Sequence, residues 1–203
     1  MITPARVIGV DPGSDVSGIC VLKDTKVLHA SNTPNTEVFD LIKELCGGHS
    51  ATIVIEDIAP YAMRLRPEVI ATCKFIGELS YRLRAAGLDN LAFVARNQVK
   101  KWVFDAFPAI CMPRIEEKIA RLHKWRLGKG MKGFETKSGA IRSPSFVFVD
   151  DRVVIAALKE DLKIPTPKPG KSNKYGLKSH SWQALAVAAC WMRQNAPKSE
   201  NST

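Results

Sequence analysis

The chain has no CxxC pair. Its five cysteines, Cys20, Cys46, Cys73, Cys111 and Cys190, are scattered and odd in number. That spacing argues against both a disulfide framework and a zinc site. Most of them sit in apolar runs, the setting of reduced core thiols in a cytosolic protein. No apolar run approaches the ~18 residues of a membrane span, so no membrane partner is expected. A signal-peptide pattern is also missing, because the first apolar run is short and broken by Gly9 and Asp11. A cytoplasmic location is the expectation that follows.

Acidic residues are the other shortage. The 203 residues carry a net charge of +10, and the excess is localised. Residues 114–142 hold nine Lys/Arg against three Glu, and residues 163–178 hold five Lys and no acid. The rest of the chain is then close to neutral. A neutral body with two basic segments fits a polyanion footprint better than a merely soluble surface. Lys124, Arg126, Lys129 and Lys132 in the first segment and Lys178 in the second are candidate DNA contacts. Trp125 and Phe134 lie among these cations, an interleaving that suits base or sugar stacking, although a buried Trp is an equal alternative.

What is present starts with Arg6-Val7-Ile8-Gly9-Val10-Asp11-Pro12-Gly13. An apolar run ends in a carboxylate and a Pro-Gly turn, and a second apolar run follows over 17–22. The pattern predicts a β-hairpin with Asp11 at the end of its first strand. Such a carboxylate is costly unless paired, solvated or bound to a cation. Three readings are open from this stretch: a metal ligand as in ribonuclease-H-like nucleases, a phosphate and Mg²⁺ residue as in actin-like ATPases, or a surface turn.

Lys26–Ala30 predicts a third, antiparallel strand, and residues 32–35 a turn. Thr36 is placed to cap a helix with Val38, Leu41, Ile42 and Leu45 on one face, stopped at Gly47-Gly48. Ala51–Glu56 is a β-branched run after that helix, so it is expected to run parallel to the first strand. Asp11 and Glu56 would then share one end of neighbouring strands, where open α/β sheets bind ligands. Glu56 and Asp57 point to opposite faces, and Glu56 is the choice for the shared site.

Residues 59–66 read as a loop. Pro67 opens a long helix to about Ala86, with Val69, Ile70, Cys73, Ile76, Leu79, Tyr81 and Leu83 as mostly core. Leu91–Val94 is a short strand, and a helix from Gln98 is closed by Pro108. Ile115–Leu127 predicts a basic helix, and residues 128–143 a loop that orders on a partner. Asp150 is placed to cap a helix through Leu158. Ser179 is placed to cap the final helix, in whose first turn His180 and Gln183 share a face.

These pieces in this order resemble the RuvC family of Holliday-junction resolvases, within the ribonuclease-H-like superfamily. The matching stretches are Ile8–Gly13, Val54–Glu56, Val94–Lys100, Asp150–Leu158 and His180–Ala186. The resemblance implies an α/β ribonuclease-H-like fold: a mixed five-stranded sheet, three antiparallel strands then parallel ones, flanked by helices. It implies a single domain over 1–203 with a basic insertion at about 109–146. By position, Asp11 matches the first metal-binding acid and Glu56 the second. His180 and Gln183 fall where the family places an acid or His and then an Asp. Gln183 removes a charge from a site expected to hold two cations, so Asp150 and Asp151 become secondary metal candidates beside it. Lys100 matches a basic residue near DNA, with Lys101 its neighbour. The family's aromatic wedge position is Ala59 here, which leaves Tyr61 as a substitute, beside Arg64.

The chemistry implied is phosphodiester hydrolysis in branched DNA, four-way junctions above all, by a homodimer using Mg²⁺. A histidine ligand predicts that Mn²⁺ supports activity at least as well. Three alternatives stay open. One is a junction binder that never cuts. Another is a general nuclease acting on forks, flaps or RNA. The last is an actin-like ATPase or small kinase, for which a second lobe and a second glycine-rich phosphate loop are missing.

Overall fold

The computed structural model describes residues 6–47, 50–58, 66–131, 133, 143–165 and 175–196. Strands β1 (Arg6–Asp11), β2 (Val16–Lys23) and β3 (Lys26–Pro34) form an antiparallel meander. Helix α1 (Asn35–Cys46) follows and ends on Gly47, whose φ of 41° is the left-handed turn that glycine adopts without penalty. Strand β4 (Ala51–Asp57) then pairs parallel to β1, and β5 (Leu91–Ala95) parallel to β4. The sheet order is β3-β2-β1-β4-β5, the expected mixed five-stranded sheet. Helix α2 (Pro67–Ala85) links β4 to β5, with Pro67 in its first turn.

The remaining helices are α3 (Arg96–Ala106), α4 (Pro108–Gly128), α5 (Asp151–Asp161) and α6 (Ser179–Asn195). Two packed layers result. Ile8, Val10, Ile19, Val21, Ile53 and Ile55 meet α1 and α2 on one face. Val7, Cys20, Leu22 and Val54 meet the helices from α3 to α6 on the other. The period-2 alternation of β1 and β4 therefore sends Asp11 and Glu56 to the second face. Ser181 through Cys190 of α6 are all buried, so this helix is enclosed all round.

Several expectations need correction. β3 runs on through Pro34, and α1 begins at Asn35, so residues 32–35 are not a turn and Thr36 lies inside the helix. Asn35 instead anchors the turn after β1: its Nδ2 donates to the Gly13 carbonyl at 3.0 Å, and its Oδ1 accepts from the Ser17 hydroxyl at 2.7 Å. In α2 the buried residues are Thr72, Leu79, Ser80 and Leu83, whereas Ile70 and Tyr81 are 43% and 74% exposed and Cys73 is exposed. Pro108 opens α4 as well as closing α3. The basic helix starts there, seven residues before Ile115, and carries Pro113 inside it. Its first half is core, through Cys111, Ile115 and Ile119. No helix among the described residues is long and apolar enough to cross a membrane.

Candidate active site

β1 and β4 are neighbours in register, Val10 beside Ile55, so Asp11 and Glu56 come next to each other at their carboxyl ends. Both are buried, at 9% and 7% exposure, and their carboxyls are hydrogen-bonded. Asp57 faces the other way and is exposed.

On the other flank, Asp11 pairs with Gly18 of β2. The missing side chain there lets the start of α6 descend onto the sheet: a Cβ on Gly18 would lie 2.2 Å from the His180 carbonyl. His180 is thereby carried over Asp11, and its Nδ1 lies 2.7 Å from Asp11 Oδ2. The cap of α6 is not Ser179, which is helical already. Asn32 Oδ1 on β3 accepts the Ser181 N–H at 3.0 Å, and the Ser181 hydroxyl accepts the Lys178 N–H at 2.8 Å.

The corner between β5 and α3 supplies the residue that the sequence reading passed over. Gln98 Oε1 accepts the Ala95 N–H at 2.7 Å and holds this corner. Arg96, first in α3, projects its guanidinium into the cleft. Nη1 donates to Gln183 Oε1 at 2.6 Å and lies 3.4 Å from Glu56 Oε1, and Nη2 pairs with Asp151. Its signal was available, since it is the charged residue at the carboxyl end of the third parallel strand. Gln183 is buried at 8% exposure.

Asp150 and Asp151 have separate duties. Asp150 caps α5, accepting the Arg152 and Val153 N–H groups at 3.1 and 3.2 Å, and pairs with Lys118 at 3.3 Å. Asp151, the next residue, faces the cleft. Asp11, Glu56, Arg96, Asp151, His180 and Gln183 thus line one open cavity of about 380 Å³.

Charge in the cleft is tightly constrained. Burial raises the Asp11 carboxyl above its ordinary range. Burial also lifts Glu56, helped by its hydrogen bond to Asp11 and opposed by Arg96, to about 8. Without a cation, burial and the neighbouring Asp11 favour the protonated form of Glu56 into the neutral range. The folded chain then binds a proton that the unfolded chain releases above about pH 4.5. Stability of the metal-free chain is therefore expected to fall from about pH 5 to about pH 8. Thermal melts in chelator should show the decline, and Glu56→Gln should flatten it. An unchanged slope in that variant would remove Glu56 as its source.

Lys100, one turn along α3 from Arg96, is half-buried. Its amine is shifted down by burial first and then by the neighbouring Arg96. Lys101 is exposed and paired with Asp105 at 2.6 Å. Lys124, Lys129 and Lys178 are exposed, Arg126 is half-buried, and Trp125 is 56% exposed rather than core. Tyr61, Arg64, Lys132 and Phe134 lie outside the described residues, as does most of the loop expected over 128–143.

Among the described residues no three His, Cys, Asp or Glu side chains already converge as a metal cage. The donor chemistry still fits one divalent ion, because two buried carboxylates in contact gain most from a cation that replaces their shared proton. A guanidinium, that of Arg96, also lies among Glu56, Asp151 and Gln183.

A mixed sheet in this order, with acids at the ends of β1 and β4 under a buried last helix, is a ribonuclease-H-like α/β fold. Among solved structures this fold is shared with RuvC. The Thermus thermophilus RuvC bound to a Holliday junction substrate matches over 94% of this chain and 96% of its own, with TM-score 0.52 and 15% identity. A second Thermus thermophilus RuvC structure gives the same TM-score and identity over 93% and 96%. The yeast mitochondrial Holliday junction resolvase Ydc2 gives TM-score 0.46 and 12% identity over 95% and 82%. No family model and no curated protein matches the sequence.

Proposed function

We propose that this chain is a divalent-metal-dependent endonuclease that resolves branched DNA, four-way junctions first among its substrates. The observation that carries this reading is the buried Asp11–Glu56 pair at the mouth of a cleft, on a fold shared with a protein seen bound to a Holliday junction. Asp11 and Glu56 would hold a divalent ion, which would supply an activated water and charge neutralisation at the phosphate. His180, fixed against Asp11, completes the holding set and orients that carboxylate. Mg²⁺ suits the oxygens, and Mn²⁺ suits the added imidazole.

Lys100 of α3 and the basic residues of α4 hold phosphates without reading sequence. Binding then weakens steeply with salt. A flat log-log plot of affinity against salt would remove the basic segments from the interface. A homodimer matches the two-fold symmetry of a four-way junction. The exposed Ile70 and Tyr81 on α2 are an apolar surface available to it.

The test is cleavage of a labelled four-way junction against a linear duplex of the same sequence, in Mg²⁺ and in Mn²⁺. Paired nicks on the junction alone are the expected result. Tight binding without cutting in either metal would leave a non-catalytic junction binder. Neither binding nor cutting would overturn the reading.

A further inference from the structure

Arg96 draws together three elements that otherwise only border the cleft. From the start of α3 it reaches Glu56 on β4, Asp151 on α5 and Gln183 on α6. Its side chain is 28% exposed, so the charge is partly withdrawn from water and held by three acceptors. A guanidinium cannot shed its proton to relieve crowding. Among the described residues lining the cleft, the carboxylates are Asp11, Glu56 and Asp151. One divalent ion together with Arg96 balances those three charges. Two divalent ions together with Arg96 would leave two positive charges uncompensated in a half-buried cavity, at a cost that rises as the local dielectric falls.

Gln183 fits the same account. Its amide oxygen accepts from Arg96 at 2.6 Å and adds no charge. An acid at this position would be needed only if a second ion had to be held. The amide and the guanidinium are thus one arrangement.

We propose that Arg96 is a built-in second cation: the site takes a single divalent ion at Asp11 and Glu56, and the guanidinium occupies the place of another. This rests on the nuclease reading above. Arg96 has more N–H donors than its three partners require, and a guanidinium fork is suited to phosphate oxygens. It would neutralise charge on the phosphate from a fixed position.

The test is Mn²⁺ binding to the full chain, followed by calorimetry and by electron paramagnetic resonance. The wild type is expected to bind one ion per protomer with the six-line spectrum of an isolated Mn²⁺. Arg96→Lys, which keeps the charge, is expected to do the same. The double variant Arg96→Met with Gln183→Asp is expected to bind two, with a spin-coupled spectrum. Two coupled ions in the wild type would overturn the proposal whether or not the double variant folds. A single ion in a folded double variant would also overturn it. The nuclease reading is judged separately, by junction cleavage in the same Mn²⁺ buffer. Two ions with cleavage reject only the role of Arg96, whereas no ion and no cleavage reject both.

Discussion

Asp11→Asn is expected to leave junction affinity within a few-fold of wild type and to lower cleavage by at least about 10³-fold, or roughly 4 kcal/mol of barrier. The side chain is isosteric, and its amide oxygen can still accept from His180, so the local fold is retained. What disappears is one of two charges that a divalent ion would bridge. Burial makes this loss large, because the remaining Glu56 would be left to hold the ion against the nearby guanidinium. Single-turnover cleavage with protein in excess measures the effect, and a gel shift on the same junction controls for binding. Cleavage within tenfold of wild type would mean that the ion is held elsewhere.

The second large effect is on stability. Gly18→Ala places a methyl 2.2 Å from the His180 carbonyl carbon and oxygen, and Gly9→Ala places one 2.0 Å from the Ala184 carbonyl oxygen. Both obstacles are backbone atoms of a helix buried all round, so no side chain can turn aside. Each change is expected to cost about 3 kcal/mol or more, and to lower Tm by about 10 °C. Gly77→Ala is the contrast. It lies inside α2 with nothing within 4 Å of the new methyl, and should stabilise by about 0.5 kcal/mol through helix propensity. Urea melts of the three variants decide the matter. If Gly18→Ala melts with the wild type, α6 does not rest on β2 as described.

The strands and the two acids were legible because strand period is rigid. An apolar run ending in a carboxylate fixes which face the carboxylate takes, once the alternation is known. His180 and Gln183 were legible as a pair from their spacing of three. Their separate fates were not. His180 turns to Asp11 and Gln183 to Arg96 because Gly18 and Asn32 set the height and pitch of α6 on the sheet, and those contacts cross long sequence distances. Helical period likewise says which α2 residues share a stripe, but not how wide a stripe its neighbours cover. Ile70 and Tyr81 remained outside it. Arg96 went unremarked for a different reason. A basic residue at a helix start has no periodicity to betray it, and only the parallel order of β1, β4 and β5 shows that it faces the acids.

The position of α6 also sets the timing of assembly. Asp11 and its partner His180 are 169 residues apart, and Arg96 and Gln183 are 87 apart. The strands that carry Asp11 and Glu56 are synthesised early, yet the face bearing Val7, Leu22 and Val54 lacks α6, the helix packed directly on β1 and β2, until that helix arrives. Loop closures of this length make folding slow, on the scale of milliseconds to seconds, and they leave an apolar sheet face open to aggregation in the interval. A nascent chain therefore has no assembled cleft: until residue 183 has left the ribosome, the acids lack both the histidine and the amide that complete it.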